Sequence, residues 1–325
     1  MAIERIGLSQ AVPERLRRGV VAIGNFDGVH RGHQAVLEAA MSIAGEGGSS
    51  AAVLTFEPHP RTVFRPQDPV FRLTPARLKA RLLGVLGFDA VFEQAFSREF
   101  AQRSADEFVQ DILQRRLSVS QVVTGFDFHF GHGREGGPAF LMAAGERDGF
   151  RVTLIDAFRD ENADVVSSSR IRGLLGEGEV VEAAGLLGYR FTAEAEVVHG
   201  KQLGRSLGFP TANMAMPPEF GLKPGIYAVR LRRPDGSLHD GVASFGRRPT
   251  VDDDGGLLLE TFVFDFSGDL YGETCSVSFF GHLRDEAKFD GLDALAAQMK
   301  RDEAEARALL AGVEPFSALD RAIGF

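Results

Sequence analysis

Val20-Val-Ala-Ile-Gly-Asn-Phe-Asp-Gly-Val-His-Arg-Gly-His33 decides how the first half of this chain folds. Val20 to Ile23 is a short apolar run, which reads as a buried strand. Gly24-Asn25-Phe26-Asp27-Gly28 must then turn. From His30 and His33 a helical pattern runs on through Gln34, Val36, Leu37 and Ala40. A helix start presents free backbone N–H groups and the positive end of the helix dipole, so an anion is its natural ligand. His30 and His33, three residues apart, lie on one face of the first turn. Gly32 removes a side chain where a backbone must come close to a ligand. The stretch suits phosphate. A plain surface helix start and an H-x2-H metal pair remain open as alternatives.

Outward from this stretch the pattern repeats. Gly45-Glu-Gly-Gly-Ser-Ser50 is a loop by composition, and Ala51 to Phe56 is a second apolar strand. It runs into Glu57-Pro-His-Pro-Arg61, where two prolines forbid helix. Thr74-Pro75 reads as an N-cap followed by proline at the first helical position, opening a helix through Leu78, Leu82 and Leu83. Asp89 to Phe96 is a third strand. Ser104-Ala-Asp-Glu107 fits a capping box. Val119 to Thr124 and Val152 to Ile155 are the fourth and fifth strands, and Ser167 to Ser169 cap a helix that begins at Arg170. Strands alternating with helices predict a Rossmann-like parallel sheet covered on both faces. Its ligands belong at the carboxyl ends of the strands.

The texture changes after Tyr189. Phe191 to Val198, Ile226 to Leu231, Val242 to Phe245, Leu257 to Phe266 and Cys275 to Phe280 are strand-like, separated by Pro, Gly and Asp clusters. This predicts a small antiparallel β-barrel, closed by a helix over Leu292 to Leu310. The boundary is drawn between residues 184 and 185, giving domains 1–184 and 185–325, joined through a helical pattern over Val180 to Leu187.

Composition narrows the function classes. The 325 residues are 44% hydrophobic and 25% charged, with a formal charge of −9. That acidic balance argues against a nucleic-acid binder. A single cysteine, Cys275, excludes a disulfide framework and a thiolate metal cluster. With no apolar signal core and no run long enough to span a membrane, the expected compartment is the cytoplasm.

The second half holds its own site. Gly200, Gly204 and Gly208 let a loop wrap closely around a ligand, with Lys201 and Arg205 adding positive charge. Pro210 biases the following residues toward an extended chain, where Thr211 and Asn213 point to the same side. Two neutral oxygen ligands suit Mg²⁺, though a polar turn would read the same way. Period two places Leu258, Glu260, Phe262, Phe264 and Phe266 on one face. A carboxylate among core-seeking residues needs a site, a cation or water beside it. Desolvation there raises its pKa toward that of a general base.

Gly24 to His33 resembles the nucleotidyltransferases that carry an H-x-G-H signature, above all the adenylyltransferase module of bacterial FAD synthetases. Gly125-Phe-Asp-Phe-His-Phe-Gly131 and Ser167-Ser-Ser-Arg-Ile-Arg172 are similar to two further motifs of that module. The resemblance implies that His30 and His33 contact ATP phosphates and that Ser169, Arg170 and Arg172 stabilise the leaving pyrophosphate. It also implies that Gly24, Asn25, Phe26, Asp27, Gly28 and Asp127 help place nucleotide or flavin.

Gly208-Phe-Pro-Thr-Ala-Asn213, Glu260 with Thr261 to Phe266, and Leu283-Arg284 to Phe289 resemble riboflavin kinase. That resemblance implies Mg²⁺–ATP at Thr211 and Asn213, with Glu260 deprotonating the ribityl 5′-hydroxyl and Arg284 near the flavin. Together the two cover nearly the whole chain, in the order of a bacterial bifunctional riboflavin kinase/FAD synthetase. The implied chemistry is riboflavin to FMN, then FMN to FAD and pyrophosphate, with ATP in both steps. Two readings compete: an adenylyltransferase for another phosphorylated metabolite, with the barrel as a specificity domain, and a non-enzymatic flavin-binding sensor or carrier.

Overall fold

The computed structural model describes residues 3–199, 211–247 and 256–325. The chain divides into two compact units, Met1–Ser168 and Ser169–Phe325.

The first unit is built on a six-stranded parallel sheet in the order β1-β4-β3-β2-β5-β6. Its strands are β1 (Glu4–Gly7), β2 (Val20–Ile23), β3 (Ala51–Glu57), β4 (Ala90–Ala95), β5 (Gln121–Gly125) and β6 (Arg151–Ile155). The interior strands are apolar because helices cover both sheet faces. Val20 to Ile23 is buried throughout. Between them run α1 (Arg31–Gly47), α2 (Pro60–Phe64), α3 (Ala76–Val85), α4 (Ala105–Glu107, continuing as a π-helical stretch Phe108–Leu117) and α5 (Pro138–Asp148). The capping box is present, with Ser104 Oγ accepting from Glu107 N and the Glu107 carboxylate accepting from Ser104 N.

The five-strand expectation missed the edge strand β1, which pairs in parallel with β4. Four residues at the start of a chain carry too little pattern to announce a strand. Strand order reverses between β2 and β5, because β3 and β4 lie on one side of β2 and β5 on the other. Such a switch point opens a crevice at the carboxyl ends of the two strands. The turn after β2 and Asp127 after β5 both sit there.

The second unit begins with α6 (Ser168–Glu177, whose first residue closes the first unit) and α7 (Val180–Leu187). A closed barrel follows, in the order β10-β11-β8-β7-β12-β9. Its strands are β7 (Thr192–Val198), β8 (Thr211–Met216), β9 (Gly225–Arg232), β10 (Leu238–Arg247), β11 (Leu257–Val263) and β12 (Thr274–Arg284). Tyr227, Val229, Leu231, Phe245, Leu259 and Phe279 are fully buried and fill it. The helix Leu292–Ala311 packs its Ala306 and Leu310 against Ala228, Phe264 and Phe280 on the outer wall. Cys275 is buried, and burial pushes its thiol up to about 11, so it is inert. Among the described residues no helix is long and apolar enough to cross a membrane.

Candidate active sites

The turn between β2 and α1 is compact and irregular. Phe26 and Val29 adopt left-handed backbone, φ 47° and 40°, alongside Gly28 at 95°. A Cβ at Gly24 would sit tight against the Phe26 ring, at 3.0 Å. His30 is the N-cap of α1, and its Nδ1 accepts the His33 backbone N–H at 3.2 Å. The two imidazoles stack 3.6 Å apart, 18° from parallel, with Phe26 edge-on to His33 at 5.3 Å. The helix start and its histidine pair therefore form one fixed unit.

Gly32 also lies tight against the rest of the chain. A Cβ at Gly32 would meet the His30 ring and the Val166 carbonyl, each at 3.2 Å.

Asp27 is 2% exposed and turned inward. Its carboxylate accepts the N–H groups of Leu73 (3.3 Å) and Thr74 (3.0 Å) and lies 3.4 Å from Arg72 Nε. Thr74 does not cap α3, which has Pro75 at its N-cap. Its hydroxyl instead accepts from Gly28 N at 2.7 Å. The Thr-Pro pair had the signature of a cap, but a buried amide of the motif turn needed that oxygen more.

Beneath the turn lies a buried lysine with partly buried charged partners, which no motif announced. Lys79 is 1% exposed. Its Nζ donates to the Asn25 carbonyl (3.0 Å) and Thr55 Oγ1 (2.8 Å), and pairs with Glu57 at 2.8 Å. Arg72 grips Glu57 bidentately, with both N···O distances 2.9 Å. Burial raises the Glu57 carboxyl, but the hydrogen bonds of Arg72 and the charge of Lys79 prevail and hold it down at about 2. Burial lowers Lys79, against the opposing pull of Glu57. The sequence did carry one signal: a lysine on the stripe formed by Leu78, Leu82 and Leu83.

Asp127 is exposed just past β5. Ser169 is exposed, while Arg170 and Arg172 are partly buried on α6, counted with the second compact unit. The helix starts at Ser168 rather than Arg170, and Ser168 Oγ donates to the Asp27 carbonyl at 2.8 Å.

In the barrel, strand register brings the predicted residues together. Asn213 of β8 is the direct partner of Glu260 on β11, and Thr211 is the partner of Phe262. Direct cross-strand partners share a face, with Cβ atoms about 4.5–5.5 Å apart. Asn213 is 4% exposed. Its Nδ2 donates to the Thr211 carbonyl at 3.1 Å, and its Oδ1 is buried with no hydrogen-bond donor among the described residues. A buried acceptor without a donor suits a cation, so the donor set fits Mg²⁺.

The face that carries Glu260 is corrected by the barrel. The interior is filled by the odd-numbered positions of β11, where Leu259 and Thr261 are fully buried. Glu260 and Phe262 lie on the outer wall, partly exposed. Apolar residues sit on both sides because that wall is itself partly covered. The strand ends at Val263, so Phe264 and Phe266 are not part of it.

Arg284 ends β12 with its guanidinium on the buried Asp302 of the following helix, at 2.9 and 2.6 Å. Gly200, Lys201, Gly204, Arg205, Gly208 and Pro210 lie outside the described residues.

Comparison with known proteins adds an independent line. A family model described as FAD synthetase matches residues 12–170, and one described as riboflavin kinase matches residues 187–310. Curated relatives named bifunctional riboflavin kinase/FMN adenylyltransferase include the Listeria monocytogenes protein, 41% identical over 91% of this chain and 93% of its own. The Escherichia coli K12 protein is 38% identical over 95% of this chain and 97% of its own. That of Pseudomonas fluorescens is 42% identical over 94% and 97%. Among solved structures, one described as a macrolide-efflux protein from Streptococcus pneumoniae superposes with a TM-score of 0.82 at 30% identity, covering 94% of this chain and 99% of that one.

Proposed function

This chain belongs to the bifunctional riboflavin kinase/FMN adenylyltransferase family, and from that premise we propose how its residues divide the two reactions. The C-terminal barrel transfers the γ-phosphoryl of ATP to riboflavin, giving FMN. The N-terminal domain transfers AMP from a second ATP to FMN, giving FAD and pyrophosphate. The match of the barrel itself to riboflavin kinase carries this reading. It leaves the barrel no role as a passive specificity domain for some other adenylyltransferase.

Both steps need positioned phosphates and charge stabilisation more than covalent chemistry. At the first site His30 and His33 hold the ATP phosphates over the start of α1. The turn Gly24 to Gly28 shapes the cradle, with Asp27 bracing it from within. Asp127 and the exposed end of β5 face the nucleotide and flavin. Ser169, Arg170 and Arg172 neutralise the leaving pyrophosphate, and bidentate donation suits Arg to that task. For this reason the functional division belongs at 184/185, keeping α6 with the reaction it serves.

At the second site Thr211 and Asn213 would hold Mg²⁺, supported by the buried Asn213 Oδ1, which has no donor among the described residues. Held by these two residues, Mg²⁺ would supply charge neutralisation for the transferring phosphoryl group. Glu260, directly across the ladder, accepts the proton of the ribityl 5′-hydroxyl as that oxygen attacks. Gly200, Lys201, Gly204, Arg205, Gly208 and Pro210 are assigned to ATP, and Arg284 orders the β12 end beside the flavin. The reaction belongs to the cytoplasm, where ATP is supplied.

A time-resolved product chromatogram from riboflavin, ATP and Mg²⁺ tests the scheme. FMN rises first and FAD follows at its expense. Formation of neither product overturns the function, and FAD appearing with no FMN pool at any time overturns the separation into two sites.

A further inference from the structure

The backbone that opens α1 is strained at the place where the first reaction needs it. Phe26 and Val29 are both buried and both left-handed. For a β-branched residue such as Val29 that conformation is an outlier. Strained backbone persists only where its surroundings over-determine it.

Here the surroundings are a buried cage. The Asn25 carbonyl, one residue before the left-handed stretch, takes two donors from below: Lys79 Nζ at 3.0 Å and Thr55 Oγ1 at 3.2 Å. Lys79 also donates to Thr55 Oγ1 at 2.8 Å, so the hydroxyl accepts from the lysine and passes its own hydrogen to the carbonyl. At the other end of the turn Gly28 N is held by Thr74 Oγ1 at 2.7 Å. Glu57 and Asp27 face Lys79 and Arg72, so the formal charges cancel. A neutral cage holds the turn without repelling the anion above it.

Stability alone does not call for a lysine here. A buried ion pair pays a desolvation penalty that its attraction often fails to exceed, and apolar replacements of similar volume are frequently neutral or better. The lysine does what an apolar side chain cannot, which is to orient one backbone carbonyl. We propose that Lys79 and Thr55 are positioning residues for adenylyl transfer. They clamp the Asn25 carbonyl, fix the left-handed turn Phe26–Val29, and so aim His30 and His33. The inference rests on the reading that puts the ATP phosphates at those histidines.

Two full-length variants test it. Thr55→Val removes one donor to the carbonyl at nearly constant volume. Lys79→Met combined with Glu57→Gln removes the other while keeping the cage neutral, which protects the fold. For each, KM for ATP and kcat are measured in FMN adenylylation and, separately, in riboflavin phosphorylation. KM for ATP in adenylylation should rise about tenfold, the scale of a lost hydrogen bond to a charged group, with kcat changing far less. The kinase constants should stay put. A loss confined to kcat with KM unchanged marks a smaller folded fraction and overturns the inference, as does no change in either constant. His33→Ala is run alongside. If it leaves adenylylation intact, the placement of the phosphates fails first and the clamp falls with it; if only the clamp variants are silent, the placement stands and the clamp alone is overturned.

Discussion

The two sites are held in place by opposite means. The turn of the first unit proposed to hold phosphate is irregular backbone, with left-handed Phe26 and Val29, suspended over buried Lys79 and the partly buried Glu57 and Arg72. The barrel site lies on regular antiparallel strands, where Asn213 meets Glu260 by register alone. Regular structure positions two side chains for no more than the sheet already provides. Irregular structure needs partners from elsewhere in the chain, and here Thr55, Thr74 and Lys79 supply them. Mutations in the first site should therefore spread through its supports, whereas those in the second should stay local.

The largest expected contrast separates the two chemistries. Glu260→Gln should lower FMN formation by about 10²–10⁴-fold, the usual contribution of a general base, while FMN added directly is still converted to FAD. Retained phosphorylation would remove Glu260 from the chemistry. The reverse experiment follows closely. His33→Ala should lower kcat/KM for ATP in FAD formation by about 10–10²-fold, mostly through KM, the scale of a lost hydrogen bond to a charged group, and FMN should accumulate from riboflavin. Loss of both activities in a folded protein would erase the distinction between the sites.

A smaller effect probes the barrel ladder. Asn213→Ala removes the buried Oδ1 and should raise the Mg²⁺ concentration needed for half-maximal FMN formation by about tenfold or more, since disturbing even an outer-shell partner costs that much. An unchanged Mg²⁺ dependence, read by titrating the metal at saturating ATP, would take Asn213 out of the metal site.

The smallest contrast lies in acid. The fold holds the Glu57 carboxyl at about 2, below its ordinary 4.5. A depressed carboxyl stabilises the folded state fully above the ordinary value, and that stabilisation disappears as pH falls through about 2. Glu57→Gln never has it. The Tm gap between wild type and Glu57→Gln should thus be widest near neutrality and narrow between about 4.5 and about 2. A gap that stays constant through that window would show the ion pair contributes nothing to the first unit.

Much of the architecture was legible in local pattern. The strand-turn-helix of Val20 to His33 and the alternation that follows announced a parallel sheet. Clustered turns after Tyr189 announced the barrel. Thr211 and Asn213 were paired by period two, and the register then set Asn213 beside Glu260. The misses share one cause. Thr74 looked like a cap because Thr-Pro is a local signal, yet its hydroxyl answers Gly28, far away in sequence. Leu258 and Phe262 looked like the core face because period two names a face but not which side of a closed barrel it becomes.

The sequence by itself determined the order of the two domains and the strand-turn-helix that opens the first, because each is written in spacings of a few residues. Tertiary structure alone decided what supports them. Which carbonyl Lys79 orients, which amides Asp27 receives and which wall of the barrel bears Glu260 all follow from contacts between strands and helices distant in sequence. No local pattern encodes them, because burial and strand pairing are properties of the closed fold.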